Sequence, residues 1–64
     1  METYYVYRNN GEVTRIAKIV DRALAYAWGD GKWVEMPGLL KIINDVTDYE
    51  EISKEEADNL ISQG

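Results

Sequence analysis

The fold of this chain is decided by the stretch Tyr26-Ala27-Trp28-Gly29-Asp30-Gly31-Lys32-Trp33-Val34-Glu35, which predicts a β-hairpin. Asp30-Gly31 is a preferred pair for a two-residue type I′ turn, because both central residues of that turn need a positive φ. Such a turn places Trp28 opposite Trp33, where the two indoles pack against each other. We expect this pair to form much of the core, covered by Leu39, Leu40 and Ile43 of a following helix.

The composition limits the class of protein. A chain of 64 residues makes one small domain, which buries only about 60% of its unfolded surface. It contains neither cysteine nor histidine, so it lacks thiolate ligands, disulfides and the usual general base. We therefore predict a protein that is not an enzyme and holds no cofactor or metal. No apolar run approaches the ~20 residues of a membrane span and no export signal is visible, so we expect a cytoplasmic protein.

The charge is unevenly distributed along the chain. Residues 1–34 carry five basic and four acidic side chains, whereas residues 35–64 carry two basic and eight acidic ones. The formal net charge of −5 argues against binding to nucleic acid or to an anionic membrane. The acids Asp45, Asp48, Glu50 and Glu51 also lack the spacing and the glycine of a calcium loop.

The first half of the chain predicts strands. Residues 3–8 are rich in aromatic and β-branched types, and Asn10-Gly11 then indicates a hairpin turn. A two-residue turn pairs Arg8 with Val13, and a three-residue loop pairs Arg8 with Glu12. We prefer the three-residue loop, because it opposes unlike charges and groups Tyr4, Val6 and Ile16 on one face.

Residues 13–28 fit either two strands or one helix. Their apolar positions recur with a period close to 3.6, as in an amphipathic helix. We nevertheless favour a strand at 13–20, a turn at Asp21-Arg22 and a new strand from Ala23, because the first strand needs a partner.

The second half of the chain predicts helices. Pro37 is well placed at the start of a helix over 37–46, whose apolar stripe contains Leu39, Leu40, Ile43 and Val46. Thr47-Asp48 predicts a turn, and residues 49–52 predict a short edge strand or an extended link. Ser53 and Glu56 have the spacing of a capping box before a helix over 54–62.

Two surfaces are candidates for binding another molecule. The first is an exposed tyrosine face with Tyr5, Tyr7 and Arg15, left open if both helices pack on the other side of the sheet. The second is an acidic surface made of Glu50, Glu51, Glu55, Glu56 and Asp58. The acids beside the last helix already have a local explanation, since negative charge stabilises a helix N-terminus. The alternative is that the protein is a small acidic inhibitor, whose acids mimic nucleic acid and bind a basic partner protein.

Two short motifs resemble a group of proteins. The hairpin W-x-x-G-x-W-V at Trp28–Val34 and the tail Y-x-x-I-S-x-x-E-A at Tyr49–Ala57 resemble those of short uncharacterised bacterial proteins. The resemblance covers about residues 26–61 and implies no activity.

These patterns together predict an α+β domain, with an antiparallel sheet of three to four strands and two short helices on one face. We expect a non-catalytic protein–protein interaction module, which binds a partner protein or forms a homodimer through its sheet.

Overall fold

The computed structural model describes residues 1–45 and 48–63. Within these residues five strands form one antiparallel sheet, in the order β4-β3-β2-β1-β5, accompanied by two helices. The elements are β1 (Glu2–Asn9), β2 (Glu12–Val20), β3 (Leu24–Gly29), β4 (Lys32–Glu35), α1 (Gly38–Asp45), β5 (Tyr49–Ile52) and α2 (Lys54–Gln63). The α+β class is confirmed. The expected three to four strands were too few, because β1 pairs on both sides, with β2 and with the short β5.

The hairpin between β3 and β4 confirms the prediction. Asp30 and Gly31 have φ values of 54° and 77°, as a type I′ turn requires. Trp28 pairs with Trp33, and their ring centroids lie 5.2 Å apart in an edge-to-face arrangement. Residues 13–28 also form two strands, with the predicted turn at Asp21 and Arg22.

The first hairpin has a different register from the one we preferred. Asn10 and Gly11 form a two-residue turn and Arg8 pairs with Val13, so the preferred three-residue loop is wrong. A β-bulge then shifts the register, so that Tyr7 pairs with Arg15 and Thr14 has no partner residue in β1. The Thr14 hydroxyl donates a hydrogen bond to the Tyr7 carbonyl at 3.2 Å, which satisfies an acceptor at the bulge. This shift opposes Val6 to Ile16 and places them with Tyr4 on one face, as the sequence predicted.

The two helices pack on opposite faces of the sheet, so the expectation that they share one face was wrong. Helix α1 contributes Leu39, only 1% exposed, to a cluster with Ala17, Ile19, Ala25 and Ala27. We call this side the α1 face. Helix α2 contributes Ala57 to a second cluster with Tyr4, Val6 and Ile52, on the side that we call the α2 face.

Side-chain size explains which face α1 takes. Small and large residues alternate along β3, so Ala25 and Ala27 face one side while Tyr26 and Trp28 face the other. The alanines leave room for the helix to approach the sheet closely, and Leu39, Leu40 and Ile43 fill that space. The tryptophans therefore lie on the α2 face and are half-buried, not covered by these three residues as predicted. Val46 and Thr47, assigned to the helix stripe and the following turn, lie outside the described residues.

The ends of the elements follow local chemistry. Helix α2 begins after Ser53, whose hydroxyl oxygen accepts a hydrogen bond from the Glu56 N–H at 3.0 Å, so the predicted cap is confirmed. Its apolar side contains the buried Ala57 and the half-buried Leu60. Of the two alternatives for residues 49–52, the structure has the short edge strand, β5, which pairs Ile52 with Tyr4.

Candidate functional site

The edge strand β4 is anchored to the sheet by the side chain of Trp33. Its ring centroid lies 5.2 Å from that of Trp28 and 6.2 Å from that of Tyr4, and both ring pairs are in contact range. The ammonium group of Lys18 lies over the Trp33 ring, 4.6 Å from its centroid. Trp33 therefore connects a four-residue strand to the interior of the α2 face and fixes its position.

Lys18 also begins a series of polar side-chain contacts across this face. The Lys18 ammonium lies 3.8 Å from the carboxylate of Glu2, which in turn accepts a hydrogen bond from the Tyr4 hydroxyl. This bond, together with the burial of the ring, raises the pKa of Tyr4 to about 12. The same bond and then the Lys18 charge hold the pKa of Glu2 below its usual value. The Lys18 side chain is only 16% exposed, so its charge is committed to these contacts.

The outer edge of β4 carries unpaired backbone groups among the described residues. In an antiparallel pair, the residues that exchange hydrogen bonds alternate with residues whose groups point away. Gly29 and Lys32 close the two-residue turn, and the Met36 N–H donates to the Ala25 carbonyl at 2.8 Å, so even-numbered residues of β4 bond inward to β3. The N–H and C=O groups of Trp33 and Glu35 therefore point outward, and no described strand pairs with them.

Three of the five exposed large apolar side chains among the described residues lie on or next to this edge. Leu24 and Val34 are each 43% exposed and Met36 is 39% exposed, whereas the other two, Met1 and Ile42, belong to the N-terminus and to α1. Val34 belongs to β4, Met36 follows it directly, and Leu24 begins the neighbouring strand. We call the outer edge of β4 together with Leu24, Val34 and Met36 the β4 surface. It combines free backbone groups with apolar contact area, which is the requirement for pairing with another strand.

The opposite edge of the sheet has a different chemistry. Strand β5 has two adjacent acids, Glu50 and Glu51, whose side chains point to opposite faces of the sheet. Arg8 donates a hydrogen bond to Glu50 at 2.9 Å across the β1–β5 pair. Because each face of this edge carries a carboxylate, a second copy of β5 would bring like charges together.

The tyrosine surface expected from the sequence lies on the α1 face. Tyr5 is half-buried and packs against the cluster that contains Leu39, so α1 covers part of the face that we expected to be open. The Tyr7 ring lies 5.4 Å from the ring of Tyr49. Arg15 is exposed and pairs with Tyr7 across β1 and β2. The three residues do share a face, but two of them are already engaged by neighbouring side chains.

The acidic residues of the alternative surface are divided. Glu50 and Glu56 approach the same guanidinium group of Arg8, at 2.9 Å and 3.9 Å. Asp58 lies 3.6 Å from the Lys54 ammonium, while Glu51 points to the α1 face. Glu55 is exposed in the first turn of α2. Because three of the five carboxylates have cationic neighbours, the negative charge that they offer together is reduced.

Sequence reasoning missed the β4 surface, although two signals for it were present. The alternation of alanine with large residues over 23–28 shows that the two faces differ in shape, and Val34 and Met36 fall outside the tryptophan face. Neither residue contributes to a predicted core once α1 is assigned to the alanine side. The edge itself depends on strand order, which no local pattern in the sequence specifies.

The described residues were also compared with the requirements of a metal site and of a membrane-spanning helix. Residues 1–45 and 48–63 contain no group of three or more acidic side chains placed to hold a metal ion. In the same ranges, neither helix has the length and apolarity needed to cross a membrane.

Comparison of the chain with protein-family models, with curated proteins and with solved structures gives no match.

Proposed function

We propose that this protein is a non-catalytic protein-interaction module, which binds its partner by adding a strand to the free edge of β4. The observation that carries the proposal is that exposed apolar side chains surround an edge strand whose outward backbone groups have no partner strand in residues 1–45 and 48–63. We also propose the cytoplasm as its compartment, because small secreted domains usually depend on disulfides and this chain has no cysteine.

The chemistry of β4 favours strand addition over other modes of binding. Main-chain hydrogen bonds give the affinity of such a complex, and alternate side chains give its specificity. Trp33 and Glu35 each offer one donor and one acceptor, and the intervening Val34 offers an exposed apolar side chain. In natural sheets, proline or several charged residues in an edge strand usually prevent another chain from pairing with it. Strand β4 contains no proline, and its two charged residues stand at its ends.

Anchoring by Trp33 also supports the proposal. A short strand at the edge of a small sheet loses conformational entropy when it pairs, and that loss weakens binding. Contacts with Trp28, Tyr4 and Lys18 order β4 before any partner arrives. The edge is therefore preorganised.

Site-directed photo-crosslinking tests this proposal. A benzophenone amino acid placed at Val34 should form adducts with a protein in an extract of the native host. The same residue placed at Glu51, which is exposed on the other edge strand, serves as the matched control. The Glu35→Pro substitution provides the second control, because it removes an outward N–H and leaves the bonds between β3 and β4 in place.

The expected result is an adduct at Val34 that is lost in the Glu35→Pro background and absent at Glu51. Adducts of equal yield at both edges, or an adduct unaffected by Glu35→Pro, would show that strand addition at β4 is not the mode of binding.

A further inference from the structure

We infer that the strand added to β4 is β4 of a second copy of this chain, related to the first by a twofold axis perpendicular to the sheet. This inference rests on the proposed function and names its partner. Two antiparallel β4 strands would join two five-stranded sheets into one continuous sheet. The argument depends on which register the outward groups allow and on what each register places side by side.

Twofold symmetry limits the choice of register. An axis perpendicular to the sheet reverses the strand direction and keeps each face on its own side, so paired residues must be both odd or both even. Hydrogen-bonded pairs must be formed by residues with outward groups, which are Trp33 and Glu35 in β4. Four registers centred within β4 meet these conditions, and the one centred on Lys32 places that charge opposite its own copy, which leaves the registers centred on residue 33, 34 or 35.

The register centred on Val34 uses the outward N–H and C=O groups of both Trp33 and Glu35 in hydrogen bonds between the copies. It opposes Trp33 of each copy to Glu35 of the other, so both residues of both copies exchange hydrogen bonds. A register centred on Trp33 opposes Glu35 to Gly31, which belongs to the Asp30-Gly31 turn. A register centred on Glu35 opposes like charges and matches Trp33 with Pro37, which has no N–H to donate.

The preferred register also covers the two exposed apolar side chains on the α1 face of β4, Val34 and Met36. Val34 meets its own copy at a position without direct hydrogen bonds, where side chains approach most closely. On the same face Lys32 lies opposite Met36 of the second copy, and its aliphatic stem covers that apolar side chain. Val34, which is 43% exposed in the single chain, and Met36, which is 39% exposed, are then shielded from water, whereas Leu24 of β3 faces the other side of the sheet and stays outside this contact.

The two edges of the sheet give the reason to choose a second copy as the occupant. In β4 one basic and one acidic residue stand at opposite ends, so the preferred register brings no like charges opposite each other. In β5 the adjacent Glu50 and Glu51 oppose self-pairing, and Arg8 holds Glu50 in place. The β4 edge therefore has the exposed apolar residues and can also pair with a second copy of itself without placing like charges opposite each other.

Single cysteines provide a sharp test, because the natural chain contains none. In the preferred register the Cα atoms of residue 34 in the two copies lie about 4.5 Å apart, within the range of a disulfide. Val34→Cys should therefore form a disulfide-linked dimer on mild oxidation. Lys32→Cys, two residues away in the same strand, and Glu51→Cys, on the other edge, should react more slowly, by on the order of tenfold or more.

Sedimentation equilibrium of the unmodified chain completes the experiment. We expect a mass of twice 7.4 kDa for the natural chain and of 7.4 kDa for Glu35→Pro, while Glu35→Ala, which keeps the N–H, remains dimeric. Equal crosslinking at residues 32 and 34, or a dimer that survives Glu35→Pro, would overturn the inference.

The outcome is distinguishable from that of the proposed function. A purified chain that stays monomeric, with a proline-sensitive photo-adduct to a different protein at Val34, would refute the second copy and leave strand addition standing. A monomeric chain with no such adduct would refute both.

Discussion

Replacement of Trp33 by alanine should remove the main anchor of β4. The substitution deletes two aromatic pairs, with Trp28 at 5.2 Å and with Tyr4 at 6.2 Å, each worth about 0.5–1.5 kcal/mol. It also removes the contact with the Lys18 ammonium, worth about 0.5–2 kcal/mol at a site that is largely shielded from water. Together with lost apolar burial, we expect the free energy of unfolding to fall by about 3 kcal/mol.

This loss is large for a domain of this size. At roughly 0.05–0.15 kcal/mol per residue, the total stability of 64 residues is on the order of 3–10 kcal/mol. A fall of about 3 kcal/mol should lower Tm by more than about 10 °C. Urea and thermal unfolding followed by far-ultraviolet circular dichroism measure the change without relying on tryptophan fluorescence.

The matched control is Trp28→Ala, which deletes only one of the two aromatic pairs and no cation contact. Its cost should be smaller, about 1–2 kcal/mol. A double-mutant cycle with Lys18→Met, which keeps the aliphatic stem, should give a coupling to Trp33 of about 0.5–2 kcal/mol. If Trp28→Ala destabilises more than Trp33→Ala, or if the coupling is zero, β4 is not anchored in the way described.

Three further changes test other parts of the fold. Ser53→Ala should lower the free energy of unfolding by about 1 kcal/mol through the lost cap, whereas Ser62→Ala in the same helix should be nearly neutral in chemical denaturation. Ala25→Leu should cost about 1–3 kcal/mol by separating α1 from the sheet, and a stable variant with Tm equal to that of Ala23→Leu, an exposed site, would refute that packing. Because the pKa of Tyr4 is raised from 10.0 to about 12, its hydrogen bond stabilises the fold fully below pH 10 and this contribution is lost as pH rises towards 12. Ultraviolet titration should therefore show a late tyrosinate step that Tyr4→Phe abolishes, while its persistence in the variant would refute the assignment.

Features set by neighbouring residues could be predicted from the sequence. Asp30-Gly31 forms its turn because the positive φ values are required within two residues, and Ser53 caps α2 because its partner lies three residues on. The split of residues 13–28 into two strands followed from the need of β1 for a partner. In each case the relevant interaction spans a short stretch of chain.

Features set by distant residues could not be predicted in this way. The side on which α1 packs depends on Ala17 and Ala27 meeting Leu39 across the sheet, and the apolar stripe of the helix would fit either side. The bulge at Thr14 depends on how β1 and β2 align beyond their turn. The face that carries the expected tyrosine surface is partly covered for the same reason, since a fully open face required both helices to lie on the other side.

The pairing of β1 with β5 has a consequence for how the chain must be made. Residues 3–7, Thr-Tyr-Tyr-Val-Tyr, are uncharged and strongly β-forming, and one side of this segment is closed only when β5 arrives more than forty residues later. During synthesis the backbone groups on this edge of β1 therefore remain unpaired until β5 is made, and in that state the segment is prone to aggregate with other nascent chains. Sequence-distant pairing forms slowly, so the rate at which β5 and α2 dock sets how long that state persists. Variants that weaken the Ser53 cap or the Arg8–Glu50 contact should for this reason lower the yield of soluble protein more than their effect on equilibrium stability implies.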